Sequence, residues 1–193
     1  MTLFISKLMS GILELFIVSI IPFITWLIWS RKKVGFFDWI GLKKVESQQK
    51  SRLLLTILGI SLLFLLFSIV VFSWFDSSQT STAAFSGKGI AALPAILSYA
   101  ILGTALPEEI FFRGFLLKSM QGKLGFLGAN LVQSLLFGLI HALMFIQLTG
   151  YLKAFAILVF ISLILSFWVL SMRRKQTAPF FQVSLSTPWP IRL

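Results

Sequence analysis

Residues 90–117 read IAALPAILSYAILGTALPEEIFFRGFLL. The stretch is apolar and long enough to cross a bilayer, yet it holds two adjacent glutamates and an arginine. Ionisable groups within a membrane span are costly and mark function by default. Whether this segment is a span depends on the rest of the chain. Of 193 residues, 58% are hydrophobic and 12% charged, against about 45–50% and about 25% in soluble domains. Mean hydropathy is +0.95. Such a chain is neither disordered nor an ordinary soluble domain, and it contains no nucleic-acid module. It predicts an all-α, polytopic membrane helix bundle, because only helices and closed barrels satisfy their backbone in lipid.

Working outward, four more apolar runs appear: Leu8–Trp29, Leu53–Phe75, Gly128–Leu148 and Tyr151–Met172. With 90–117 they give about five transmembrane helices, each of roughly 20 residues and enough for a core of about 30 Å. Pro22 is expected to interrupt the first and Pro107 the third. The first run is too long for a signal-peptide core and has no cleavage-site pattern. Basic residues alternate between connections. Loop 30–52 holds seven (Arg31, Lys32, Lys33, Lys43, Lys44, Lys50, Arg52), loop 76–89 holds only Lys88, and the tail opens with Arg173, Arg174 and Lys175. The positive-inside rule then predicts a multi-pass cell-membrane protein with its N-terminus outside and C-terminus cytoplasmic. The basic loop reads as topology and attraction to membrane lipid, with no nucleic-acid partner. Trp26, Trp29, Trp74 and Trp168 read as interfacial anchors. There is no cysteine, so disulfides and thiolate metal sites are excluded.

Glu109 and Arg113 are four apart, so they share a helix face and pair. Glu108 is rotated by about 100° from Glu109 and is expected to face a different neighbour, free to act as a base. A helix starting at the inner interface would show the same Pro and Glu in its first turn, and that alternative stays open. The single histidine, His141, lies in the fourth run. The glycine-rich stretch 121–128 predicts a turn. With helices ending near Ser119 and resuming near Leu127, Glu108 and His141 differ in depth by three residues, about 4.5 Å, so they can face each other. Asn130, Gln133 and Ser134 form a polar stripe that suits either a water-filled cavity or interhelical hydrogen bonds. Glu14 reads as a snorkelling or outer-interface carboxylate.

Glu108-Glu109 with Arg113, followed by Phe137-x-x-x-His141, resembles the CPBP family, which comprises type II CAAX prenyl proteases and bacteriocin-processing enzymes and is also called the Abi family. The likeness spans about 93–172. It implies an intramembrane endopeptidase acting on a peptide or protein substrate within the membrane. Glu108 would be the general base, positioned by Glu109 and Arg113. His141 would polarise the carbonyl, stabilise the oxyanion or ligate metal, and Phe137 would pack one turn before it. Metal dependence is open in the family: a zinc held in part by Glu108 and His141, or a metal-free glutamate mechanism. The expected organisation is 1–89 with helices one and two, 90–172 as the protease-like core, and 173–193 as an irregular polar tail. The family's third motif, a later His followed by Asn or Asp, has no counterpart after His141, so the chain is expected to be C-terminally incomplete relative to the family, truncated or frame-shifted, and weak or inactive. A non-catalytic membrane immunity or interaction protein on the same scaffold is the alternative. A small transporter subunit is disfavoured because no inverted repeats appear.

Overall fold

The structure is a computed structural model that describes residues 2–41, 50–74, 78 and 80–174. Every regular element among these is helical. Helix α1 (Thr2–Trp29) runs unbroken through Pro22, which is buried inside it. A short helix α2 (Phe36–Ile40) follows, then α3 (Lys50–Phe72). Two 3₁₀ turns, Ser81–Phe85 and Gly89–Ala92, lead into α4 (Leu93–Ala100). From there the backbone stays helical through Ile101–Ala105, α5 (Leu106–Glu108) and Glu109–Leu117 into α6 (Lys118–Thr149). Helix α7 (Tyr151–Arg174) closes the described chain. The expected tail beyond it, and part of the basic loop, lie outside the described residues.

Four stretches are long and apolar enough to cross a membrane, the longest running 61 residues from Gly89 to Thr149. That stretch is two legs. Gly125 has φ 66° and ψ 173°, a region open essentially to glycine alone, and the chain reverses there. Leu117 before the break packs with Phe126 and Ala129 after it, and Phe112 meets Phe137 with ring centres 4.8 Å apart. The turn predicted over 121–128 therefore collapses to one residue. Counted from Gly125, Glu108 stands 17 residues before and His141 16 after, so the depth mismatch expected from a longer turn disappears. Gly150, at φ 77° and ψ 169°, makes the next reversal in the same way.

Small residues set the spacing of the last two helices. A Cβ on Gly138 would collide with Ser162 and sit 2.7 Å from the Leu158 carbonyl oxygen, so α6 and α7 touch backbone to backbone there, as membrane helices do at small residues. Helix α1 meets the motif helix similarly: a Cβ on Gly11 would lie 2.9 Å from the Leu102 Cβ. At one end, the Lys7 ammonium sits 5.0 Å from the Tyr99 ring centre and 5.4 Å from that of Phe85, and Ser81 and Tyr99 hydroxyls share a 2.7 Å hydrogen bond.

At the other end, the basic loop expected over 30–52 contains a helix, α2. Its described part folds under the motif helix. Trp39 and Ile40 are buried with Ile110, flanked by Trp26, Phe36 and Phe115. The Trp26 indole donates to the Val34 carbonyl at 2.7 Å, which ties Trp26 to this cluster. Buried Lys118 donates from Nζ to the Trp39 carbonyl oxygen at 2.6 Å.

Gly125→Ala is expected to destabilise the protein by about 1–3 kcal/mol, the cost of a side chain in a glycine-only conformation, although nothing stands within 4 Å of the added Cβ. Gly122→Ala, in ordinary helix with equally open space, should be neutral or stabilising by up to about 1 kcal/mol. Thermal unfolding in detergent compares the two.

Candidate active site

The motif helix does not keep α-helical periodicity. Ile101–Ala105 and Glu109–Leu117 are π-helical, on either side of the three-residue α5. Pro107 has no N–H to donate to the preceding turn, which frees a carbonyl and favours a wider turn. Wide turns rotate less per residue. As a result Thr104 and Ala105, Glu108 and Glu109, and Phe112 and Arg113 all line one cleft of about 450 Å³. The two carboxylates, expected to point apart, therefore open on the same space.

They differ in partner. Glu109 forms an ion pair with Arg113, with the two side chains 17% and 19% exposed. No hydrogen bond or ion pair engages Glu108 among the described residues, and it is left facing the cleft. Opposite stand Phe137 and His141 on α6, Ile161 and Trp168 on α7, and Ile60 and Phe64 on α3. The structure thus gathers Glu108, Glu109, Arg113, Phe137 and His141 around one cavity.

His141 is oriented by its own helix. Its Nδ1 lies 2.9 Å from the Phe137 carbonyl oxygen. A carbonyl only accepts, so Nδ1 carries the hydrogen and Nε2 is left for the cleft. The Phe137 ring stacks on the imidazole at 4.3 Å and meets Phe112 edge-on. In the neutral ring Nε2 is an acceptor; in the imidazolium it is a donor.

A catalytic zinc takes three protein ligands and keeps an open position. Glu108 and His141 offer two, and Glu109 is held by Arg113. Among the described residues no group of three His, Cys, Asp or Glu is placed to hold a metal. The donor set does not fit catalytic zinc.

Several cleft residues were not singled out by sequence. Thr104 carried a readable signal, a hydroxyl one turn before Glu108. Trp168, expected at a lipid interface, faces the cleft. Glu14 lies mid-way along α1 rather than at its outer end. Its Oε2 is 3.6 Å from where a Gly103 Cβ would be, within electrostatic reach of Glu108. Of the polar stripe, Asn130 bonds across to α7, donating to the Ser166 hydroxyl at 2.9 Å and to its carbonyl at 3.1 Å, while Gln133 donates to Asn130 and Ser134 within α6.

Fold and cleft together define a multi-pass helical membrane protein with carboxylates, a guanidinium and an imidazole gathered inside its spanning segments. Residues 89–180 match the family described as type II CAAX prenyl endopeptidase Rce1-like. That match is consistent with a CPBP family intramembrane protease. Neither the curated proteins nor the solved structures provide a match.

Arg113→Gln should destabilise the protein by about 3–5 kcal/mol, because it strands Glu109 in a low-dielectric wall. The double variant Glu109→Gln/Arg113→Gln should recover much of that loss. Denaturant unfolding of all three variants in micelles measures the coupling.

Proposed function

We propose that the chain is an intramembrane endopeptidase in which Glu108 activates water against a peptide bond. The observation that carries this is the unequal treatment of the two carboxylates: Glu109 is bound to Arg113, while Glu108 and His141 face one cleft. Glu108 takes a proton from water as the oxygen attacks the carbonyl carbon. The carbon–nitrogen bond then breaks, and that proton passes to the leaving amine. Arg113 and Glu109 fix the carboxylate's surroundings and do not exchange protons with substrate.

With Nδ1–H given to Phe137, His141 does one of two jobs at a time. Neutral, it accepts a hydrogen bond from the attacking water; protonated, it donates to the developing oxyanion. One imidazole does not serve both at once, so turnover is slow. The family description points to prenylated CAAX C-termini as the substrate class; bacteriocin processing is the competing assignment. The N-terminus lies outside and the basic loop and α7 end face the cytoplasm, as the distribution of Lys and Arg requires. On this reading 90–172 is the catalytic core, and 1–89 supplies α3 as a wall of the cleft and α1 as a helix packed against the motif helix.

One observation favours a second reading, a non-catalytic immunity or interaction protein: the cleft offers only one imidazole and no metal-competent donor set. The two part on mutation. Under the protease reading, Glu108→Gln and His141→Ala each lower cleavage of a membrane-embedded fluorogenic peptide in proteoliposomes by about 10²-fold or more. Undiminished protection or partner binding by Glu108→Gln, with no cleavage by the unmutated chain, would establish the scaffold reading instead.

A further inference from the structure

Hydrolysis in the cleft needs a base for the attacking water and a hydrogen-bond donor for the carbonyl oxygen that becomes negative. His141 serves one need or the other. The other cleft-lining side chains with a hydrogen to give are Arg113, Trp168, Ser61 and Thr104. The Arg113 guanidinium is held by Glu109. Trp168 packs with Leu117, Phe126 and Ala129 beside the Gly125 reversal, whereas Glu108 lies 17 residues before that turn. Trp168 therefore stands at the far end of the cleft from the base. Ser61 is exposed and belongs to α3, across the cleft from the motif helix.

Thr104 differs on each count. It is half-buried, stands one turn before Glu108 on the same helix and lines the same cleft. A threonine inside a helix commonly turns its hydroxyl back onto the carbonyl four residues earlier. Thr25 does so to Ile21 at 2.8 Å and Thr149 to Phe145 at 3.0 Å. Thr104 lies in the wide-turn segment Ile101–Ala105, and its hydroxyl makes no hydrogen bond among the described residues. Its hydrogen is left for a ligand in the cleft. Within a membrane wall an unpartnered hydroxyl is costly until something accepts from it, and a peptide carbonyl oxygen is such an acceptor.

We propose that Thr104 is a catalytic donor, whose Oγ1–H binds the carbonyl oxygen of the scissile bond and stabilises the charge that develops there. As the water oxygen bonds to the carbonyl carbon, Glu108 takes the water's proton and the carbonyl π pair moves onto oxygen. Thr104 meets that oxygen and keeps its own proton. When the pair returns, the carbon–nitrogen bond breaks and Glu108 passes its proton to the leaving amine. His141 then stays neutral and serves the water alone. The catalytic step rests on the endopeptidase reading; the carbonyl contact needs only a peptide in the cleft.

Thr104→Val keeps the side chain's shape and breaks no hydrogen bond made by the hydroxyl among the described residues, so thermal unfolding in detergent should be unchanged. In the peptide assay kcat should fall by about 10²-fold, the weight of one oxyanion donor. KM should change little, because the bond strengthens only as charge develops. Thr104→Ser, which restores the hydroxyl, should recover most of the rate. A second measurement needs no turnover. The same peptide, carrying carbon-13 at the scissile carbonyl, is bound to the full-length Glu108→Gln chain and its carbonyl stretch is read by infrared difference spectroscopy. A donated hydrogen bond lowers that stretch, so adding Thr104→Val should raise it. Cleavage by Thr104→Val at the unmutated rate, a serine variant as slow as the valine one, or a loss carried by Ser61→Ala instead overturns the proposal and leaves the endopeptidase reading standing. Absent turnover by the unmutated chain, beside a carbonyl stretch that depends on Thr104, refutes the endopeptidase reading and keeps Thr104 as a peptide-binding donor. Absent turnover with no such dependence overturns both.

Discussion

A guanidinium within a spanning segment must be met by a carboxylate, and the pairing of Arg113 with Glu109 is the constraint around which the site is arranged. An unpaired charge in such a wall is expensive. Because Glu109 is consumed by this pair, Glu108 is the cleft carboxylate left without an ion pair among the described residues. Because the pair sits on a wide-turn helix, both residues and Phe112 stay on the cleft side. Phe112 then reaches Phe137, and Phe137 stacks on and orients His141. The order of dependence runs from ion pair to helix geometry to imidazole.

The motif helix is also held from below. The buried Lys118 ammonium reaches a carbonyl of α2, and the aromatic side chains of α1 and α2 close around Trp39 and Ile40. A segment that reads from its charges as a lipid-facing topology signal is, in its described part, a seat for one end of the motif helix. The lysines on either side still suit anionic lipid. Loop and helix are mechanically joined, so a displacement of α2 is felt at Glu109–Leu117.

Much of this was legible from the residues. The apolar runs announced a helical bundle, and six acids in 193 residues made two adjacent glutamates in one run conspicuous. The Glu109–Arg113 pair followed from four-residue spacing, which brings side chains together in α- and π-like turns alike. The common facing of both glutamates did not follow, because rotation by about 100° per residue presumes an α-helix, and a wide turn is a product of Pro107 and tertiary packing. The one-residue reversal at Gly125 was hidden among four glycines, Gly114, Gly122, Gly125 and Gly128, that look alike in sequence and differ only in φ. Glu14 was misplaced because its depth depends on where α1 begins. Trp168 was misplaced because an aromatic at a run end fits a cleft wall and a lipid interface equally well. Continuity through Pro22 could not be read from sequence either, since a buried proline in a packed membrane helix is tolerated.

The reversals at Gly125 and Gly150 bear on how the protein enters its membrane. Each joins two long apolar legs through a single residue, leaving no polar loop to wait at the surface while one leg crosses and the next is made. The three legs 93–124, 126–149 and 151–174 are therefore committed to the bilayer together. The backbone contact at Gly138 and Ser162 is available as soon as the last two lie side by side. The half of the chain that carries the Glu108–Glu109, Arg113 and His141 motifs is thus delivered as a preassembled hairpin unit, whereas α1 and α3, with longer connections, have freedom to join it afterwards.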